Sequence, residues 1–320
     1  MICERSIEIW VTAINSAVSI SIICFFLFTA NLVYASRKSF HPFFVILFIS
    51  LLFSYMLCDL FAVVMNVVQC AGLKEDHAVP SAASILSTIF YRNATPTIIS
   101  LLMERLYATK NCGTYEKARP WSIFVPLQPI GLLSAIADAF IIFHKIVTKN
   151  GEQYSLGGVY IIVFLMLCIL LFVNKRLTSQ YAGRGIGLTA RYQLSENIRV
   201  LRLVIPVVVM DGLITVENIL GQLIFGVDKQ FEAERCDTEA SYLALFIVVN
   251  IVSSLMEVCI PLSIIYGHPA ISRLASQYIC FRQNSEKEER STRIKNVLGL
   301  DLQQTQTANE YFNNLQTHWQ

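Results

Sequence analysis

The chain has 320 residues, of which 54% are apolar and 15% charged, against roughly 25% charged in an ordinary soluble domain. A soluble protein of this size needs a charged shell, and this composition excludes one. The net charge of +2 says little by itself, whereas the positions of the charges say a great deal.

In chain order, the first apolar run covers 7–34. It is longer than the apolar stretch of a cleaved leader and has no basic segment before it, so it reads as a membrane crossing. Further runs follow at 42–69, 80–108, 121–145, 156–173, 200–226 and 241–266. Seven crossings of about 25 residues, each matched to a hydrocarbon core of roughly 30 Å, account for the apolar fraction. Water-free lipid offers the backbone no partners, so each run is expected to be helical. The expected fold class is therefore all-α, a seven-transmembrane helix bundle over 1–266. The longest joining loop is expected at 174–199.

The segments 35–41, 104–120, 174–202 and 267–320 share one side of the membrane and hold 18 Lys and Arg; the other side holds 6. Basic residues collect on the cytoplasmic side, which predicts an extracellular N-terminus and a cytoplasmic C-terminus. The segment 228–240 carries Asp228, Glu232, Glu234, Asp237 and Glu239, as suits an outer face. Beyond 266, Ile271, Leu274, Ala275, Tyr278 and Ile279 recur at helical spacing. They predict an amphipathic membrane-surface helix over 267–282, with Cys280 a candidate for lipidation. The composition of 283–320 predicts a disordered cytoplasmic tail.

Ionisable groups inside spans are costly and mark function. Six occur: Asp59, Arg92, Asp138, Asp211, Glu217 and Glu257. Asp59 lies 17 residues past Pro42, Arg92 17 before Thr109, and Asp138 17 past Trp121. At 1.5 Å per residue all three sit about 25 Å above the inner face, so Arg92 is expected to pair with Asp59 or Asp138. Pro96 withholds a hydrogen bond from the Arg92 carbonyl.

Polar stripes add to this. Asp211, Thr215, Asn218 and Gln222 share one helical face, as do Asn250, Ser254, Glu257 and Pro261, and Ser84, Thr88, Tyr91 and Thr95. Three one-sided stripes imply an interior that is not lipid. It is either a ligand cavity between helices or a set of interhelical hydrogen bonds holding the bundle. The cavity reading nominates Asp59, Tyr91, Arg92, Asp138, Asp211, Asn218 and Glu257 as ligand-binding residues. The sequon at Asn93 is rejected, since it lies within a span and Pro96 follows. His77 and His144 have no metal-ligand spacing around them, and Gly183, Gly185 and Gly187 form no phosphate loop. No metal site, cofactor or catalytic constellation is expected, and no nucleic-acid partner.

Two segments carry more than composition. One closes the third span: Glu104-Arg105-Leu106-Tyr107-Ala108-Thr109, then Tyr115-Glu116. The other enters the sixth: Arg191-Tyr192-Gln193, then Glu196-Asn197. With His268-Pro269 after the seventh span, they resemble the nematode serpentine chemoreceptors of the Sra superfamily, most closely the epsilon class, Sre. The specific motifs cover about 35 residues of a layout that matches throughout. The resemblance implies a G-protein-coupled chemosensory receptor in the plasma membrane of sensory neurons, often at cilia. It further implies a heterotrimeric G protein inside, and the short outer loops argue for a small-molecule ligand outside. Glu104 and Arg105 would occupy the acidic-Arg position of rhodopsin-like receptors, where a cation holds spans three and six together. Glu196 is one candidate partner, and Arg191 lies in the G-protein-coupling segment.

The sequence also departs from the rhodopsin-like pattern. Neither the top of span three nor the second outer loop has a Cys, so the usual bridge between them is absent. A Cys70–Cys236 disulfide is the expected substitute, and Cys3 could replace either partner. Span seven lacks the usual Asn-Pro-x-x-Tyr ending. Rival functions are a seven-span ligand-gated channel, whose insect odorant type has its N-terminus inside, and a transporter, for which the internal repeats are missing.

Overall fold

The computed structural model describes residues 5–72, 77–115, 121–144, 146–147, 149–182, 188–227, 231–239 and 241–279. Its helices are α1 (Arg5–Ala35), α2 (Pro42–Cys70), α3 (Ala78–Lys110), α4 (Trp121–Phe143), α5 (Lys149–Ala182), α6 (Leu188–Leu223), α7 (Ala233–Thr238), α8 (Tyr242–Gly267) and α9 (Pro269–Ile279). A 3-10 turn, Arg37–Ser39, joins α1 to α2. No strand occurs among the described residues.

Local chemistry marks the helix boundaries. Pro42 opens α2 with its φ already helical. Gly72, at φ 81°, takes the left-handed turn beyond its end. His77 caps α3 by accepting the Val79 N–H on Nδ1 at 3.4 Å. His268 is extended, at φ −128° and ψ 123°, as a residue before proline must be. It ends α8, and its Nδ1 accepts the Ala270 N–H at 3.3 Å to start α9.

Six helices are long and apolar enough to cross a membrane: Ser6–Ala35, Pro42–Cys70, Val125–Phe143, Tyr154–Gln180, Gln193–Leu223 and Tyr242–Gly267. Their outward faces carry large apolar side chains, among them Leu133 on α4 and Ile161, Ile169 and Phe172 on α5. Water would not tolerate so continuous an apolar surface, so the chain is a multi-pass membrane protein. The expected seventh apolar crossing, 80–108, is not among them. The physical reason is position. α3 packs against α2, α4, α5 and α6, so protein covers much of its surface and it can bury Arg92, Thr97, Ser100, Glu104, Arg105 and Thr109. Thr97 and Ser100 donate to the carbonyls of Asn93 and Pro96, each at 2.8 Å, near the proline.

The loop expected at 174–199 is largely helix, since α5 runs on to Ala182 and α6 starts at Leu188. Apolar runs report the thickness of lipid, and a helix of polar residues can continue into water beyond it. The acidic segment 228–240 likewise contains a short helix, α7. Arg235 on α7 donates to the Gly226 carbonyl and pairs with Glu239 at 3.1 Å. Gly226 has φ 61°, and a Cβ there would come within 2.8 Å of the Arg235 guanidinium.

α9 covers Pro269–Ile279 and buries Ile271 and Ala275 against the bundle, leaving Tyr278 exposed. It packs on α8 and α1. Cys280 and the tail 283–320 lie outside the described residues.

Candidate functional site

Two buried polar groups organise the bundle. The first lies at the end where α2 begins and α3 finishes, here called the basic end. Glu104 and Arg105 are 0% and 1% exposed. Neighbours in a helix sequence normally face apart, yet Arg105 folds back so that Nε and Nη2 both donate to the Glu104 carboxylate. Without water, each charge has the other as its best partner. The guanidinium also lies 5.5 Å from the centre of the Phe44 ring.

The pair is tied into four helices. Arg105 Nη1 donates to Asn197 Oδ1 on α6 at 2.9 Å. Asn197 Nδ2 donates to Thr109 Oγ1 at 3.3 Å, and Asn174 Nδ2 on α5 donates to the same oxygen at 2.9 Å. Tyr115, just past α3, donates its hydroxyl to Glu104 and lies 3.1 Å from Nδ1 of His41, the residue before α2. Burial first, and then the charge of Glu104, holds the Tyr115 phenol well above its ordinary pKa. It therefore keeps the proton it donates. The expected Arg105–Glu196 pair is not formed. Arg105 reaches the next residue, Asn197, and Glu196 Oε1 instead accepts the His41 backbone N–H at 3.0 Å. One residue is a rotation of about 100° on a helix, enough to exchange the two side chains.

The second group lies at mid-bundle. Phe26 of α1, Tyr55, Cys58 and Asp59 of α2, Tyr91 of α3, Asp211 and Ile214 of α6 and Glu257 of α8 line one cavity. The cavity is small, with room for about one water. Asp211 accepts the Tyr160 hydroxyl from α5, and Thr95 donates to Tyr160 Oη at 3.4 Å. The Tyr55 hydroxyl is buried facing Asp211 but makes no hydrogen bond of usable geometry.

The residues nominated from sequence divide between these surroundings. Asp59, Tyr91, Asp211 and Glu257 meet in the cavity. Arg92, one residue on from Tyr91, turns to α4 and pairs with Asp138 at 3.4 Å. Asn218 lies two turns along α6 from Asp211, with its Nδ2 buried and unpartnered. Nearby, Glu217 accepts the Ser253 hydroxyl of α8 at 2.6 Å. The Arg191 side chain lies outside the described residues. No group of three or more metal-ligating side chains occurs among the described residues.

The expected Cys70–Cys236 bridge is overturned. Cys70 is a free thiol, and Cys236 is disulfide-bonded to a partner outside the described residues. Spacing in sequence cannot decide which thiols meet. At that end Gln69, beside Cys70, instead donates to Glu8 at 3.0 Å and to the Phe231 carbonyl at 3.3 Å.

Sequence reasoning missed the roles of His41, Tyr55, Asn174 and Tyr160. Tyr160 in an apolar run looks like an ordinary membrane aromatic, and only the acid opposite gives it a role. Tyr115 and Asn197 stood inside the motifs already quoted, but with no assigned partner.

No curated protein matches the chain. A family model, described as Sre G protein-coupled chemoreceptor, matches residues 69–320. That stretch holds the buried Glu104–Arg105 pair, its Asn197 tie and half of the cavity lining, and it is the larger part of the sequence. The chain belongs to the Sre G protein-coupled chemoreceptor family.

Proposed function

We propose that this chemoreceptor spans the membrane seven times, with α3 as the seventh crossing, its N-terminus outside and its C-terminus inside. It detects a small extracellular ligand and couples to a heterotrimeric G protein from the plasma membrane, including that of sensory cilia. The observation that carries this reading is the buried Glu104–Arg105 pair donating to Asn197. It fastens α3 to α6 at the end where the basic segments collect. A ligand that binds one helix arrangement better than another shifts the population of both. If that ligand sits in the central cavity, α3 and α6 both line it, and the same two helices carry the change to the basic end. There the released ends, with Arg191 and the neighbouring cations, meet the G protein. The size of the present cavity favours a small ligand and a closed resting arrangement.

The test is to express the chain in cells with a calcium or cyclic-nucleotide readout and present small volatile and water-soluble compounds. The reading requires a response to at least one compound that disappears when the G protein α subunit is removed. A ligand-gated current that persists without any G protein would refute it and favour a channel.

A further inference from the structure

We propose that His41 is a positioning residue for the Glu104–Arg105 pair: it donates from Nδ1 to the Tyr115 oxygen and so keeps the phenol proton directed at Glu104. This rests on the reading of that pair as the resting lock, and it adds the turn between α1 and α2 to the lock. The argument is a count of hydrogens. Glu104, facing Arg105, is a carboxylate and can only accept. The Tyr115 hydroxyl has one hydrogen and gives it to Glu104. Its oxygen also lies 3.1 Å from His41 Nδ1, with no second hydrogen to offer. That contact is a hydrogen bond only if Nδ1 carries the proton; a bare Nδ1 would set lone pair against lone pair in a buried site. His77 and His268 differ, because on both of them Nδ1 accepts a backbone N–H.

The imidazole is well held for such a role. Pro42 keeps the His41 backbone extended, at φ −65° and ψ 138°. The ring is 9% exposed and lies between the Phe43 ring, at 5.5 Å, and the Tyr115 ring, at 4.5 Å. The His41 backbone N–H is fixed on Glu196 of α6. One residue of the turn therefore reaches α6 directly and the lock on α3 through Tyr115. A phenol O–H turns about its C–O bond, and a donor seated on its oxygen leaves the hydrogen directed away from His41, toward Glu104. With Glu104 held, the guanidinium that grips it is held, and its remaining nitrogen stays on Asn197. The bonds form one chain from the α1–α2 turn to α6, each member orienting the next.

The experiment has two readouts on the full chain. The first is basal nucleotide exchange on added heterotrimeric G proteins, matched for surface expression, with substitutions that divide the ring. Asn sets an amide nitrogen where Nδ1 lies, Gln sets one where Nε2 lies, and Phe sets neither. His41→Asn should keep wild-type exchange, whereas His41→Gln and His41→Phe should raise it about two- to tenfold, as the loss of one neutral hydrogen bond. In a Tyr115→Phe chain the same substitutions should change nothing further. Equal exchange from all four chains, or rescue by Gln rather than Asn, would overturn the proposal. The second readout is the ¹⁵N magnetic resonance of histidine-labelled wild-type chain in lipid nanodiscs, which needs no variant at position 41 to fold. A signal protonated on Nδ1 should be present and should move in Tyr115→Phe; a spectrum without one would overturn the proposal by itself. This readout needs no G protein either. An Nδ1–H signal that moves with Tyr115, in a wild-type chain that drives no exchange, would uphold the His41 donor and remove the receptor reading.

Discussion

Arg105 on α3 donates to Asn197 on α6 at 2.9 Å, while its charge is answered by Glu104 on its own helix. The charge balance and the interhelical tie are therefore separate. Opening α3 from α6 leaves the ion pair intact and breaks a hydrogen bond to a neutral amide. Separating two buried opposite charges would cost about 3–5 kcal/mol. Releasing a hydrogen bond to a charged group costs about 1.5–3 kcal/mol, within reach of a ligand's differential affinity.

Tyr115 holds the pair from the other side. Tyr115→Phe keeps the ring against His41 and removes the donor to Glu104, leaving a buried carboxylate one hydrogen bond short. The expected loss is about 1–3 kcal/mol of stability, read as a lower unfolding midpoint in nanodiscs. Tyr115→Phe unfolding at the wild-type midpoint would remove Tyr115 from the lock.

Arg92 and Asp138 should couple measurably. Asp138 is 45% exposed and Arg92 8%, so the pair is only half withdrawn from its surroundings. A double-mutant cycle with Arg92→Met and Asp138→Asn is expected to give a coupling of about 1–2 kcal/mol. Strict additivity of the two substitutions would mean that the 3.4 Å approach contributes nothing.

His268 makes the junction of α8 and α9 sensitive to pH. Burial, and then the nearby Arg199, holds its pKa below the ordinary value of 6.5. As pH falls below 6.5 the unfolded chain takes up the proton before the folded one does, so stability falls; above 6.5 both forms are neutral and the dependence vanishes. Protonation would also deprive the Ala270 N–H of its acceptor. Unfolding midpoints between pH 7.5 and 5 should fall for wild type and fall less for His268→Gln. Parallel curves would clear His268 of the effect.

Much of this was readable from the chain, and the parts that were not share a cause. The depth of Arg92 and Asp138 was legible because a span is a ruler: 17 residues from a common face bring both to one level. The acids Asp59, Asp211 and Glu257 announced themselves by their cost in lipid. Asn197 was harder to see, since the neighbouring Glu196 is the more obvious partner for a cation and only the rotation of α6 separates them. The helical extensions of α5 and α6 were invisible to apolar counting, which stops where lipid stops. The thiol at Cys70 could not be judged from spacing, because pairing depends on which helix ends meet.

The disulfide of Cys236 can be settled chemically. Cys24, Cys58, Cys70, Cys112, Cys168 and Cys259 form no disulfide, and of the nine cysteines only Cys3 and Cys280 remain as partners, both outside the described residues. By the charge count Cys3 and Cys236 are expected on the outer side of the membrane and Cys280 on the inner. Peptide mapping without reduction is expected to find Cys236 joined to Cys3 and Cys70 open to alkylation. A Cys70–Cys236 peptide would contradict the structure.

The most direct test of the lock is nucleotide exchange on added heterotrimeric G proteins by membranes carrying the chain without ligand. Asn197→Ala removes the tie from α3 to α6 and leaves the Glu104–Arg105 pair in place, whereas Asn197→Asp strengthens the tie by making its acceptor an anion. Matched for surface expression, Asn197→Ala should raise basal exchange about tenfold or more, by the loss of about 1.5–3 kcal/mol from the resting state, and Asn197→Asp should fall to or below the wild-type level. Equal exchange from all three chains would contradict a resting state held by Arg105 and Asn197.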